Sequence, residues 1–150
     1  MKKVSVLLKI LGGLSIIASI VHFLFGLTYL HFFSASLTMG IVPKERMPIL
    51  TLVMVFSAAS SIAILIAGIV AAINSTEPLK ADRTVLWACI ALALGILSDL
   101  FVSIVGYESS MIYTVSGIVV PLLTVLVSYV FYVLAMKGYR LHGQNQVKKN

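Results

Sequence analysis

Charged residues are scarce in this chain. They make up 11% of its 150 residues, whereas hydrophobic residues make up 60%. A soluble domain carries roughly a quarter charged residues, so a surface with so few charges is not typical of a protein in water. Together with a mean hydropathy of +1.09, this composition predicts a protein surrounded by lipid.

Groups that bind metals or perform covalent chemistry are equally sparse. Cys89 is the only cysteine, which excludes an internal disulfide and a cysteine-rich metal site. The three histidines, His22, His31 and His142, lie at different depths, so we expect neither a shared metal nor a haem. No phosphate-binding loop or nucleophile elbow is present. We therefore predict no cofactor, no metal and no catalytic residue. Catalysis would have to rest on His22 and Asp99 alone, and we do not expect an enzyme.

Four long apolar runs are present instead. Each is long enough for a helix across a bilayer, which needs roughly 17–25 residues, and none alternates as the strands of a barrel would. The predicted fold is all-α, an integral membrane four-helix bundle forming one transmembrane domain over residues 1–150. The first run is about twice as long as the apolar part of a signal peptide, roughly 7–15 residues, so we expect a retained helix. The predicted helices cover residues 6–33, 49–73, 84–106 and 111–136.

The connections and the basic residues predict the topology. Short links make sequential helices antiparallel, in an up-down-up-down order. Nine of the eleven Lys and Arg residues lie at the termini and in the second connection, and two lie in the first connection. The positive-inside rule then predicts that both termini are cytoplasmic, in a multi-pass protein of the plasma or cytoplasmic membrane. The sequon at Asn74 would lie on the inner side, where it could not be glycosylated.

The remaining basic residues predict a lipid partner. They flank apolar runs and are not interleaved with aromatic residues in a basic patch, so we do not expect nucleic acid as a partner. The basic tail, residues 137–150, is expected to lie against anionic lipids of the inner leaflet. A homo-oligomer or a membrane partner subunit is also compatible with the chain, because small residues such as those repeating from Ala59 to Ala71 allow close helix contacts.

Two ionisable residues lie inside the apolar runs. Asp99 follows a stripe of small residues with Ala91 and Gly95, and His22 lies on the polar stripe of the first run. An acid near the centre of a membrane helix costs roughly 2.5–3.5 kcal/mol, which calls for a partner. Because both groups lie at similar depths, we hypothesise that they meet, directly or through water. The residues expected to complete this intramembrane polar site are Tyr29, Ser103 and Thr124.

Two further features complete the predicted site. Pro121 is expected to kink the fourth helix and to free a carbonyl group that a neighbour or a water satisfies. At the outer surface, Lys44, Arg46 and Glu108 are expected to frame an entrance, since oppositely charged residues of the first and third connections lie at the same end of the bundle.

Two functions remain open from the sequence. The first is a transport-related or solute-binding protein with the His22–Asp99 region as its polar site. The second is a non-catalytic accessory or regulatory subunit, in which the same pair acts as a structural clamp between helices.

Overall fold

The chain forms a bundle of four long helical spans. The structure is a computed structural model that describes residues 2–41, 45, 47–104 and 110–147. Within these ranges it contains helices and no strand. The four spans are long and apolar enough to cross a membrane, which confirms the predicted all-helical class. The elements are α1 (Lys2–Thr38), α2 (Met47–Asn74), a 3-10 turn (Pro78–Lys80), α3 (Ala81–Ile104), α4 (Met111–Thr114), a π-helical turn (Val115–Val119) and α5 (Val120–Val147).

The first helix is longer than predicted. It has 37 residues, or about 55 Å at 1.5 Å per residue, whereas the hydrocarbon core of a bilayer is about 30 Å thick. It ends where Gly40 adopts a positive φ of 71°. There the Gly40 N–H donates to Leu37 O and the Ile41 N–H to Ser36 O, the two bonds of a Schellman motif.

Neighbouring spans are antiparallel. The first span packs on the second, the second on the third, and the fourth, made of α4, the π turn and α5, packs on both the third and the first. Ser5 Oγ donates to Ser75 O, so the start of α1 lies beside the connection between α2 and α3. We call this end of the bundle the amino-terminal end. At the distal end, the Ser110 N–H donates to Tyr29 Oη over 2.6 Å.

The spans contact each other through small residues. Ala63, Ala67 and Ala71 of α2 are buried within the bundle, so this ridge is covered by the chain itself and is not offered to a second copy. At the crossing of α1 and α2, a Cβ atom added to Gly12 would lie 2.8 Å from Gly68 O. Close approach of this kind is the packing expected between helices in lipid, where hydrophobic exclusion does not drive association.

The buried face of α3 differs from the predicted stripe. Its buried positions include Ala91, Gly95, Ser98 and Val102, at alternating intervals of three and four residues. A strict spacing of four rotates about 40° further round the helix at every step, because each residue turns about 100°. Ser103, predicted to face inward, is therefore about 120° from Ala91 and is exposed. Its hydroxyl donates to Asp99 O of its own helix over 3.0 Å.

At the amino-terminal end of the bundle, hydrogen bonds of the Asn74 side chain join the end of α2 to the start of α3. Its amide Nδ2 donates to Lys80 O over 2.9 Å and to Thr84 Oγ1 over 3.3 Å. The residue is buried, with 6% of its surface exposed. The sequon asparagine is thus part of a helix junction, and its side-chain amide is not accessible for glycosylation in the folded chain.

Candidate polar site within the bundle

The polar site is built around Tyr113, at the start of the fourth span. The Ser110 hydroxyl accepts a hydrogen bond from the Tyr113 N–H over 3.2 Å, a normal N-cap that begins the helix there. The cap directs Tyr113 toward the bundle axis, where the side chain is 0% exposed.

The His22 ring lies flat against the Tyr113 ring. Their centroids are 4.1 Å apart and the ring planes differ by 17°. His22 Nδ1 lies 3.3 Å from both Tyr113 O and Ser116 Oγ. Because a carbonyl oxygen only accepts, this geometry assigns the proton of a neutral ring to Nδ1 and leaves the lone pair on Nε2. His22 is 0% exposed, and Nε2 has no hydrogen-bond partner among the described residues.

The Tyr113 side chain connects all four spans. Its hydroxyl shares a short hydrogen bond with Ser98 of α3, and Ser57 of α2 lies beside the same hydroxyl. On α1, the Tyr29 ring packs edge-to-face with the Tyr113 ring, at a centroid distance of 5.3 Å and an angle of 83°. With His22 on its face, Tyr113 therefore contacts each of the other three helices at one depth. We call Tyr113, His22, Tyr29, Ser57 and Ser98 the tyrosine cluster.

Asp99 lies at the edge of the tyrosine cluster. Its Oδ1 accepts a hydrogen bond from Thr114 Oγ1 over 3.2 Å, and the residue is half-buried. It is near enough to interact electrostatically with His22 and Tyr113. Among the described residues, however, no hydrogen bond or ion pair joins the carboxylate to the His22 ring. The two groups occupy one region, but the side chain that packs on the His22 ring is that of Tyr113.

The other predicted site residues have separate positions. Tyr29 belongs to the tyrosine cluster. Thr124 is buried and its hydroxyl lies 3.2 Å from Ser15 Oγ, about two helical turns nearer the amino-terminal end than His22. Ser103 lies outside the cluster on the exposed side of α3. The predicted entrance residues Lys44, Arg46 and Glu108 lie outside the described residues.

The π-helical turn explains how the fourth span fits against α3. The Val120 N–H donates to Val115 O, five residues back, and Pro121 follows directly. Since proline has no N–H, the Gly117 carbonyl loses its usual partner four residues ahead. Gly117 O instead lies against the Gly95 backbone of α3, so closely that a side chain at Gly95 would overlap it. The freed carbonyl predicted from Pro121 therefore meets a neighbouring helix, in a position suited to a weak Cα–H···O contact.

Gly117 also makes room for the histidine. A Cβ atom at Gly117 would lie 2.5 Å from His22 Cε1 and 2.8 Å from Nδ1. The two glycines thus place the fourth span against α3 on one side and against the imidazole on the other. Single π turns of this kind are often found at functional sites.

Sequence reasoning missed Tyr113, Ser116, Ser98 and Ser57. A signal for Tyr113 was present, because the inward positions Thr124, Pro121 and Gly117 lead back at helical spacing to residue 113. Ser98 follows from the alternating spacing of α3. For Ser57 no local signal exists, because it lies in a stretch of α2 with several serines and alanines at similar spacing.

The chemistry that this arrangement offers is hydrogen bonding and charge. In the described part of the chain, no group of three His, Cys, Asp or Glu side chains is close enough to hold a metal ion. The basic Nε2 atom, the tyrosine hydroxyl and the half-exposed carboxylate would bind a proton, a small cation or a hydrogen-bond donor. Comparison of the chain with protein-family models, with curated proteins and with solved structures found no match. The chain is a polytopic helical protein compatible with a membrane bundle.

Proposed function

We propose that this polytopic protein binds a small cation or hydrogen-bond donor at the tyrosine cluster and Asp99, in a role related to transport. The observation that supports this most is the Nε2 atom of His22, which is fully buried and has no hydrogen-bond partner among the described residues. A buried polar atom left unsatisfied costs about 1–3 kcal/mol. A purely structural clamp would be expected to satisfy both ring nitrogens.

Asp99 would supply the charge in this proposal. It is half-buried at the edge of the tyrosine cluster. Intramembrane acids commonly act as counter-charges for a bound cation or as members of a proton path. Asp99 and His22 would then act as one site, with Thr114 orienting the carboxylate through its hydrogen bond.

The proposal extends to the location of the protein. The excess of Lys and Arg at the termini and in the second connection supports cytoplasmic termini in a plasma or cytoplasmic membrane, with the basic tail near anionic lipids. The distal end, where Tyr29 and Ser110 meet, would then face outward. Self-association or a partner subunit would complete the path of the transported ion across the bilayer.

Flux measurements test the transport role. Purified protein is reconstituted in vesicles of phosphatidylcholine and phosphatidylglycerol, and the entry of H⁺, K⁺ and ammonium is followed with dyes. We expect flux of at least one ion above that of protein-free vesicles, and loss of that flux in both His22→Gln and Asp99→Asn. Ser103→Ala is the matched control, because Ser103 lies one turn from Asp99 but on the exposed side. Flux that equals the protein-free value in the folded wild type would refute the transport role.

An accessory function is the second candidate, and one observation favours it. Tyr113 and His22 are fully buried and in direct contact, as in a filled core that fixes the register of four helices. In that case His22→Gln would lower stability while all three fluxes remained at the protein-free value.

A further inference from the structure

An apolar layer crosses the bundle interior next to the polar site. Its buried members come from three helices, and two half-buried side chains pack against them: Ala18 of α1, Ala63 and Ile64 of α2, and Ala91 of α3, with Leu94 of α3 and Val120 of α5. The buried members are alanines except Ile64, whose side chain is 0% exposed. Ile64 is therefore the large side chain sealed at the centre of this layer, which we call the Ile64 layer.

The polar site borders the Ile64 layer on its distal side. Gly26 contacts Ser57, and α1 and α2 are antiparallel. His22, one turn before Gly26, therefore lies level with Ser60, which is one turn from Ile64 along α2. His22 Nε2 and Ser60 Oγ are both buried and have no hydrogen-bond partner among the described residues. Two unsatisfied polar atoms thus lie next to the layer on this side.

Buried hydroxyl groups border the Ile64 layer on its amino-terminal side. Ser15 Oγ of α1 lies 3.2 Å from Thr124 Oγ1 of α5, one turn beyond the layer on both helices. Ser128 follows Thr124 by one turn toward the amino-terminal end. Its hydroxyl is buried and has no hydrogen-bond partner in the described part of the chain. The interior is therefore polar again on the other side of the layer.

The hydroxyl groups continue to the amino-terminal end through Thr84. Ala81 of α3 packs in one cluster with Phe131 of α5, and because these helices are antiparallel, Thr84 lies level with Ser128. Thr84 is buried, and its hydroxyl accepts a hydrogen bond from Asn74 Nδ2 over 3.3 Å. Asn74 in turn bonds to the connection between α2 and α3. We call Ser15, Thr124, Ser128 and Thr84 the hydroxyl row.

We propose that the Ile64 layer is the barrier between the His22 site and the hydroxyl row, and that the ion which crosses it is H⁺. This inference rests on the transport role proposed above and names its ion and its limiting residue. From Ser15 to His22 α1 runs seven residues, or about 10 Å, whereas a hydrogen bond spans about 3 Å. A proton therefore does not pass directly between the two sides. Apolar constrictions gate ion paths because water does not fill them.

The groups on both sides of the layer favour H⁺ over a larger cation. The transferred proton binds the lone pair of His22 Nε2 and leaves from it, while Nδ1 keeps its own proton, and Asp99 supplies the counter-charge. A hydroxyl group accepts one proton and donates another, whereas K⁺ is held by rings of carbonyl oxygens and ammonium needs an acceptor for each N–H group. The titratable residues packed around His22 in the described chain are Asp99, Tyr113 and Tyr29, and α2 contains none.

Substitution of Ile64 by threonine and by valine tests the barrier. The two variants lose about the same volume, but only threonine adds a hydroxyl group, so their comparison separates polarity from packing. The full chain is reconstituted in vesicles of phosphatidylcholine and phosphatidylglycerol, and H⁺ entry driven by an inside-negative potential is followed with an internal pH dye. We expect the H⁺ rate of Ile64→Thr to be about tenfold above that of Ile64→Val, which corresponds to about 1.4 kcal/mol in the barrier. The entry of K⁺ and ammonium should not change.

Further variants locate the path and control for folding. Ile62→Thr should leave the H⁺ rate at the wild-type value, because Ile62 is 60% exposed and its side chain lies outside the bundle. Adding His22→Gln or Thr124→Val to Ile64→Thr should return the rate to that of Ile64→Val, since each removes a proton-accepting group on one side of the layer. Ala18→Ser adds a hydroxyl group to the same layer with a smaller change in volume. It should raise the rate in the same direction, so the test does not depend on the folding of one variant.

The outcomes distinguish this inference from the transport role. Equal H⁺ rates in Ile64→Thr and Ile64→Val would overturn the barrier, and the transport role would still stand if wild-type flux depends on His22. A raised rate that survives His22→Gln would identify a leak that bypasses the site and would also overturn it. Entry of K⁺ or ammonium in step with H⁺ would overturn the choice of ion. A wild type without flux, together with His22-dependent H⁺ entry in Ile64→Thr, would refute the transport role and support the barrier.

Discussion

Substitution of Gly95 by alanine tests the contact between α3 and the π-helical turn. The new Cβ atom would overlap Gly117 O, which belongs to the backbone and cannot rotate away. The fourth span would have to move, and with it the Gly117 backbone that lies against the His22 ring. Overpacking of this kind costs about 1–3 kcal/mol. Replacing glycine by alanine within a helix returns about 1 kcal/mol, so we expect a net loss of up to about 2 kcal/mol in the free energy of unfolding.

Gly13→Ala is the matched control for this prediction. Gly13 also lies within a membrane-spanning helix, but a Cβ atom there has nothing within 4 Å. Only the gain in helix propensity applies, so Gly13→Ala should be neutral or stabilising by up to about 1 kcal/mol. The two variants should differ by roughly 2 kcal/mol in reversible unfolding of the protein in bicelles by increasing fractions of sodium dodecyl sulfate. If Gly95→Ala is as stable as Gly13→Ala, the close backbone contact between α3 and the fourth span does not exist.

Two further predictions concern the tyrosine cluster and the orientation of the chain. In a double-mutant cycle of Tyr113→Phe and Ser98→Ala, we expect a coupling free energy of about 0.6 kcal/mol and at most about 1.7 kcal/mol, the average and the maximum measured for hydrogen bonds between membrane helices; strictly additive losses of stability would exclude a stabilising bond between the two hydroxyls. For orientation, Thr76→Cys and Ile41→Cys, each in a Cys89→Ser background, place one thiol at each end of the bundle. In intact cells an impermeant maleimide should label Ile41→Cys at once and Thr76→Cys only after permeabilisation, and the reverse pattern would invert the proposed topology.

Features that depend on one helix at a time were predicted from the sequence. The four spans follow from the length of their apolar runs, because a helix is the only open structure that satisfies every backbone group within hydrocarbon. The carbonyl freed by Pro121 also involves residues within about one turn of each other. The alanines from Ala63 to Ala71 were placed on a helix contact face because small residues mark such faces in lipid.

The prediction of inward-facing residues was wrong where small differences in rotation around the helix axis accumulate along the helix. A spacing of four residues, counted from Ala91 to Ser103, predicted the buried face of α3 correctly near Ala91. At Ser103 the predicted direction differed from the buried face by about 120° around the helix axis. Asp99 lies between these two positions, which is why it is half-buried at the edge of the tyrosine cluster and not at its centre. For the same reason, the four-residue spacing did not predict Ser98, the α3 residue that forms a hydrogen bond with Tyr113.

The sequence by itself determined that this protein has four apolar helices, which faces of α1 and α2 meet their neighbours, and that ionisable groups lie within the spans. Only the tertiary structure decided that His22 packs on Tyr113 and not on Asp99, and that the Ser57 hydroxyl fills the space beside Gly26. The physical reason is that a hydrogen bond or a cavity between helices depends on the rotation and the axial shift of each helix against the others. An error of one residue along a helix moves a side chain by about 1.5 Å and turns it by about 100°, which is enough to exchange one partner for another.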